Sequence, residues 1–452
     1  VKLMKSNNVN LGSDSLGKLL FKLALPAITS QVVNMLYNLI DRIFIGHIPN
    51  TGTEALTGVG VCLPIIMIIS AFAVLASMGG APRASIEMGK GNNKKAELIL
   101  GNSLSILLII SLILTIFFSI FSKDILLLFG ASENTITYAI SYIRIYALGT
   151  VFVQFALGMN GFITAQGFAR TSMMSVIIGA VLNTILDPIF IFVLDLGVSG
   201  AALATIISQA VSAIWVLLFL TGKKTILKLK IKNMKLSPKI FLPCLALGLS
   251  PFIMQATESL IAICFNSTLY KYGGDIAVGT MTVLTSIMQF SLLPLQGLTQ
   301  GAQPITSYNF GAKNYTRVKE SFAILLKTYL IYSLGLWALV MIFPKNFISI
   351  FTPDTNLIEY AIPAVRIYMA VSGMFGIQIA CQQTFIAIGN AKASLFLAVL
   401  RKIILLIPLV FILPIFFENK VNAVFLAEPI ADFIVVTITS IVFYFQFKKA
   451  IV

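Results

Sequence analysis

Residues 123–146 read KDILLLFGASENTITYAISYIRIY, and residues 345–368 read KNFISIFTPDTNLIEYAIPAVRIY. Lys123, Phe129, Asn134, Tyr138, Arg144, Ile145 and Tyr146 return as Lys345, Phe351, Asn356, Tyr360, Arg366, Ile367 and Tyr368, a constant offset of 222 residues. The same offset carries Ala165, Gly167, Ala169 and Ser172 onto Ala387, Gly389, Ala391 and Ser394, with no insertion or deletion between the blocks. Register sustained over that distance marks two copies of one unit.

Working outward, the composition says what solvent this unit meets. Of 452 residues, 58% are hydrophobic and only 11% are charged, against roughly 25% charged in soluble domains. An unpaired backbone group in hydrocarbon costs several kcal/mol, so apolar runs in lipid must satisfy their own hydrogen bonds as helices. Runs of about 20 residues place spans near 19–46, 57–81, 97–121, 135–159, 165–193 and 198–220, and again near 240–264, 278–302, 320–343, 357–380, 387–415 and 422–446. The expected fold is an all-α polytopic membrane protein: twelve transmembrane helices in two parallel-repeat six-helix lobes around a central cavity.

The loops give an independent reading of the same count. With the N-terminus in the cytoplasm, inner segments hold 22 basic residues, among them Lys2, Lys5, Lys18, Lys22, Arg83, Lys90, Lys94 and Lys95, a cluster between Lys223 and Lys239, and Lys448 and Lys449. The outer loops hold four, Lys123, Lys271, Lys345 and Lys420. This bias puts both termini inside and explains most of the net charge of +15. A nucleic-acid-binding protein would gather its bases on one soluble surface, which scattered loops exclude. The first apolar segment is too long, and too closely followed by others, for a cleaved signal peptide. Cys62, Cys244, Cys264 and Cys381 lack close ligand spacing and read as small packing residues.

We divide the chain into a first lobe at 1–222, a basic cytoplasmic linker at 223–236 and a second lobe at 237–452. In the linker, Thr225-Ile226-Leu227-Lys228-Leu229-Lys230-Ile231-Lys232 alternates apolar residues with lysine. Alone that pattern reads as a short strand; at the inner leaflet, anionic lipid attracts it as an interfacial segment. An even number of spans per unit starts both copies on one side, so the lobes are related by an axis along the membrane normal and a site between them faces a central cavity. Pro26 and Pro188, which flank polar residues in the first and fifth spans, are candidate bending points.

The polar residues inside the spans carry the chemistry. Asp41 lies late in span one, on the face that carries Asn34 and Asn38, and Asn183 and Asp187 share a face of span five. Thr205 of span six is placed to join them. An aspartate in hydrocarbon is costly, so these groups should face a bundle interior or a wet cavity and mark an ion or proton route. Two carboxylates held close interact unfavourably when both are ionised, so one tends to keep its proton near neutrality. A cation, H+ or Na+, can share the same oxygen-rich pocket, with Asn183 and Thr205 as neutral ligands. The competing reading is a structural polar bridge between helices.

Glu258 sits in span seven near Gln255 and faces a cationic substrate or a second cation in this reading. Its counterpart at the offset of 222 is Leu36, and that of Asp41 is Ile263, so neither acid belongs to the duplicated scaffold. Glu428 and Asp432 form a second candidate wet face in span twelve. Gln154, Asn160 and Gln166 in the first half, and Gln378, Gln382 and Gln383 in the second, are candidate cavity residues. The duplicated Arg144 and Arg366 read as architectural, snorkelling or bridging loops.

At Asp41, Asn183 and Asp187 the chain resembles the multidrug and toxic compound extrusion (MATE) family. The resemblance covers nearly the whole chain: Ala24-Leu25-Pro26, Asn38-Leu39-Ile40-Asp41 with Gly46, Ala165-Gln166-Gly167, and Asn183-Thr184-Ile185-Leu186-Asp187-Pro188 stand in order across the spans. Its general character is similar to the bacterial MepA-like and DinF-like branches. The resemblance implies a secondary active antiporter, not an enzyme, that exports amphiphilic, usually cationic drugs in exchange for inward H+ or Na+ and needs no cofactor. It puts the cation-coupling site, including any Na+, at Asp41, Asn183, Asp187 and Thr205. Glu258, Gln255, Asn34, Asn38, Gln154 and Gln378 are then candidate substrate contacts, in a monomer of the bacterial plasma membrane surrounded by lipid. In a further branch an acid in helix seven joins one in helix ten; Glu258 matches the first, and the missing second favours coupling in the first lobe. The alternative within the superfamily is a lipid-linked oligosaccharide flippase, which would show a more cationic cavity.

Overall fold

The computed structural model describes residues 9–451, so Lys2 and Lys5 lie outside the described residues. These form helices α1 (Leu16–Gly46), α2 (Gly52–Gly89), α3 (Asn93–Leu128), α4 (Ile136–Leu148), α5 (Thr150–Gly158), α6 (Asn160–Ala165), α7 (Ala169–Pro188) and α8 (Gly197–Thr221). The second half has α9 (Pro238–Ala256), α10 (Glu258–Gly311), α11 (Tyr315–Ile342), α12 (Pro344–Ser349), α13 (Thr355–Tyr368), α14 (Phe375–Ala387), α15 (Ala391–Val399), α16 (Ile407–Phe416) and α17 (Lys420–Ala450). Short π-helical turns follow α7 at Ile189–Val193 and join α15 to α16 at Leu400–Leu406.

Among the described residues nine helical stretches are long and apolar enough to cross a membrane, or eleven with two bent pairs counted as spans. The chain is thus an all-α, multi-pass membrane protein. The longest stretch joins α9 and α10 over 238–311. The 54 residues of α10 would reach about 81 Å at 1.5 Å per residue, far beyond a hydrocarbon core of about 30 Å. Gly274 breaks it, with φ 66° and ψ −158°, a conformation open to glycine and strained for other residues.

The duplication is visible in contacts as well as in sequence. The two bent pairs occupy equivalent places, bending by 60° between α4 and α5 and by 47° between α13 and α14. The side chain of Asn92 accepts from Lys95 N to cap α3, and that of its counterpart Asn314 accepts from Arg317 N to cap α11. Asn160 donates to the carbonyl of Ser172, and its counterpart Gln382 donates to the carbonyl of Ser394. One apolar core lies wholly within the first half around Ile65, Ile69 and Ile143, and another wholly within the second around Phe265, Val365 and Phe425.

The halves meet where α1 and α2 pack on α9 and α10. Glycines make that approach possible. A Cβ added to Gly79 would overlap the carbonyl of Cys244, one on Gly248 that of Leu75, one on Gly89 that of Tyr308 and one on Gly311 that of Ile86. Gly89 and Gly311 are repeat counterparts, and their turns lie together at one end of this seam.

The segment 225–232 is not a strand. It is a bent loop leading into a short turn at Ile231–Met234, because side chains of the first half capture its backbone. The Gln166 side-chain oxygen accepts from Ile226 N and Leu227 N at 2.8 Å each and from the Thr225 hydroxyl at 2.9 Å. Asn102 accepts from Ser237 N at 2.8 Å, and Ser105 donates to the carbonyl of Met234 at 2.6 Å. Lys230 pairs with Glu97. Gln166, a candidate cavity residue by sequence, is therefore a buried clamp on the linker.

Candidate functional site

In the first half, α1 and α7 pack side by side and α8 packs against α7. The i, i+4 spacing in α7 stacks Asn183 over Asp187, and the Asn183 amide donates to Asp187 Oδ1 at 3.1 Å. The same amide lies 3.5 Å from the Thr205 hydroxyl of α8. Asp41 of α1 is the carboxylate neighbour of Asp187 across the α1–α7 contact. Asp41, Asn183 and Asp187 are buried and Thr205 half-buried. Pro188 and the π turn after it end α7 beside this cluster, and irregular turns of that kind recur at functional sites.

What the cluster lacks matters most. Asp41 Oδ1, Asn183 Oδ1 and Asp187 Oδ2 are buried acceptors without a hydrogen-bond partner. No basic side chain among the described residues forms a salt bridge with either aspartate. Buried polar groups left unpaired cost free energy, and buried charges cost more. Three buried oxygens with no donor, on residues of one cluster, suit a proton or a small hard cation, whose preferred ligands are oxygens. A pocket opens beside them, lined among others by Asn34, Tyr37, Asn183, Thr205, Ser208 and Gln209. Asn38 is exposed and donates to the carbonyl of Asn34 at 2.7 Å.

The other candidates are dispersed. Gln154 is fully buried and donates to the carbonyl of Ile69 at 2.7 Å, tying α5 to α2. Gln378 is buried in α14, with its side-chain oxygen unpartnered. Gln382 bonds Ser250 at 2.7 Å and so ties α14 to α9. Gln255 is half-buried one turn before Glu258. Arg144 and Arg366 are both exposed. The tenth span does hold an acid, contrary to the sequence reading: Glu359, near the start of α13, which is exposed.

Three acids of the second half, Glu258, Glu428 and Asp432, are not free. Arg401 donates through Nε to Asp432 at 2.8 Å and through Nη2 to Glu428 at 2.9 Å, with all three side chains buried. Lys402 donates to Glu258 at 2.6 Å. Arg401 also lies over the ring of Phe375, 4.5 Å from its centroid. Glu428 and Asp432, expected as a wet face, are instead a buried ion triad with Arg401. Sequence reading overlooked Arg401 and Lys402. The signal was present: two consecutive bases inside an apolar span require acids nearby, and Glu428 and Asp432 stand one turn apart in the next span.

The MatE family profile matches residues 26–189 and again residues 251–412, one match in each half. The chain belongs to the MatE family. As a MatE protein it is a secondary active transporter of the multidrug and toxic compound extrusion type, working by alternating access, and not an enzyme. Among curated relatives it is similar to the multidrug export protein MepA of Staphylococcus haemolyticus (strain JCSC1435), with 25% identity over 93% of this chain and 92% of that one. It is 24% identical to MepA of Staphylococcus aureus (strain NCTC 8325 / PS 47) over 88% of this chain and 87% of that one. Among solved structures it is similar to the MATE multidrug transporter DinF-BH in complex with rhodamine 6G, with 36% identity, a TM-score of 0.88 and 98% of both chains covered. A structure described as an outward-facing multidrug resistance MATE transporter of the MOP superfamily shares the fold, with a TM-score of 0.91 at 23% identity over 98% of this chain and 99% of that one.

Proposed function

We propose that this MatE protein is an antiporter of a bacterial plasma membrane that exports amphiphilic organic cations in exchange for inward H+ or Na+. The nine single stretches and two bent pairs become twelve spans when 238–311 is divided at Gly274. In this reading six spans precede the docked linker and six follow it, as two lobes, with both termini cytoplasmic and the chain working as a monomer.

The observation that carries the reading is the set of unpartnered oxygens on Asp41, Asn183 and Asp187, with Thr205 beside Asn183 and no salt bridge to either aspartate among the described residues. A proton or sodium ion held there satisfies them and cancels charge between α1 and α7. Asn34 lines the adjoining pocket on the same helix as Asp41, so the cation and a substrate in the cleft act on one element. Cation binding then shifts the equilibrium of α1 only as far as its affinity differs between the two states. We take Glu258 and Gln255 of the second lobe, with Asn34 and Asn38 of the first, as the substrate contacts. The complex of DinF-BH with its rhodamine supports that dye as a test substrate. Because the bases Arg401 and Lys402 are matched by acids, they do not offer the free cationic cavity that a lipid pyrophosphate flippase needs.

The test is efflux of the same rhodamine from sealed proteoliposomes under separately imposed proton and sodium gradients. The expected result is efflux that follows one of them and falls to background in Asp41→Asn and Asp187→Asn proteins that remain folded. Efflux with neither gradient and no other energy source, or full gradient-driven efflux by Asp41→Asn, would contradict antiport at this site.

A further inference from the structure

The carboxylate of Glu258 is already occupied. Its Oε1 accepts from Lys402 at 2.6 Å, yet 48% of the Glu258 side chain is exposed while only 6% of the Lys402 side chain is. A charged group turned toward hydrocarbon is costly, so the exposed edge of Glu258 faces a watery cleft. The first half borders that cleft: the neighbouring Ser259 hydroxyl lies 3.5 Å from the sulfur of Met67, and Phe252 packs on Phe72 with ring centroids 4.8 Å apart.

The repeat shows what the ammonium has replaced. At the offset of 222, Arg401 and Lys402 correspond to Gly179 and Ala180. Both of those residues line the open pocket beside the Asp41 cluster. Space that is pocket in the first half is thus filled in the second by two cationic side chains. Arg401 is committed to Asp432 and Glu428 through two bonds, whereas Lys402 has one partner, and that partner reaches the cleft.

We propose that Lys402 is a tethered competitor for the cationic centre of the substrate at Glu258, and that it thereby sets the charge specificity of the cleft. This inference rests on the reading of the protein as an exporter of organic cations. A lysine ammonium on its four-carbon stem is a compact point charge with rotatable donors, not a fixed fork. An incoming organic cation shares or takes over the carboxylate, and Lys402 returns when the cation leaves, so the empty cleft never presents a bare acid. Monocations therefore bind more weakly than they would to free Glu258.

The experiment is equilibrium binding of the rhodamine by fluorescence polarisation to the full-length protein in nanodiscs, without any gradient. Partly exposed ion pairs have modest strength, so Lys402→Met and Lys402→Gln are expected to bind the dye about fivefold more tightly than the wild type, and Glu258→Gln/Lys402→Met should lose that gain. Lys402→Arg keeps the charge and grips a carboxylate through two donors, so it is expected to bind the dye more weakly, and it serves if the neutral variants do not fold. Unchanged or weaker binding by folded Lys402→Met, a gain that survives in the double variant, or tighter binding by Lys402→Arg overturns the inference while leaving cation export intact. Failure of the wild type and every variant to bind the dye overturns the export reading and this inference together.

Discussion

The two halves of this transporter place polar clusters between equivalent helices and resolve the electrostatics in opposite ways. The first half sets Asp41, Asn183 and Asp187 around unpartnered oxygens and leaves a pocket. The second sets Glu258, Glu428 and Asp432 against Arg401 and Lys402. Projected through the repeat, the second cluster falls on Leu36, Gly179, Ala180, Ile206 and Ala210, about one helical turn from the first. A buried acid needs a positive partner. Where the protein supplies one covalently the acids do not need a coupling ion, and where it does not the site must borrow a cation from outside. Duplication gave both halves one scaffold, and in the function proposed above loss of equivalence at a few positions leaves only the first half as the place for ion exchange.

The comparison breaks most sharply if the difference is transplanted. Ala180→Lys puts an ammonium where Lys402 stands in the other half, beside Asn183 and the two aspartates. The expected outcome in the proteoliposome assay is a loss of gradient-driven efflux of roughly tenfold or more, since a buried pair outcompetes a dilute ion; undiminished ion-driven efflux would show that this pocket is not the exchange site. Arg401→Met attacks the closed cluster instead. Removing one partner of a buried ion network costs about 3–5 kcal/mol, so thermal unfolding should occur at a clearly lower temperature. Arg401→Met/Glu428→Gln/Asp432→Asn, which removes all three charges and keeps the shapes of the two acids, should recover most of that loss.

Much of this was legible in the chain. The constant offset from Lys123 to Ser394 gave the duplicated architecture, because helices in lipid tolerate few insertions and the register survived. Asp41, Asn183 and Asp187 stood out because an acid in an apolar span is costly and must find a polar neighbour, and the structure brings them together. Arg401 and Lys402 were lost among apolar neighbours, and with them went the pairing that separates Glu258, Glu428 and Asp432 from the first cluster. Side-chain amides were equally hard to read. Gln154, Gln166 and Gln382 look like cavity residues in sequence, but Gln154 and Gln382 spend their amide donors, and Gln166 its acceptor oxygen, on backbone and hydroxyl groups of neighbouring elements, which only packing decides.

Smaller effects sharpen the account of how the halves meet and match. Gly248→Ala drives a methyl into the carbonyl of Leu75, and overpacking of this kind costs about 1–3 kcal/mol. The seam should open, so a cysteine pair across α2 and α9 should crosslink less readily than in the otherwise unchanged protein; equal crosslinking would show that the close approach is dispensable. The smallest effect is expected from the contacts that both halves retain. Asn160→Ala and Gln382→Ala each remove hydrogen bonds to the start of the following helix and should each destabilise by about 1 kcal/mol, measured as a shift in thermal unfolding with efflux preserved.

The difference between the halves is tested most directly by comparing, in one proteoliposome preparation, gradient-driven rhodamine efflux by Asp41→Asn with that by the charge-free Arg401→Met/Glu428→Gln/Asp432→Asn protein. The expected result is that Asp41→Asn no longer responds to the imposed ion gradient while the charge-free protein still does. A charge-free protein that ignores the gradient, beside an Asp41→Asn protein that follows it, would place ion exchange in the second half and contradict the assignment made here.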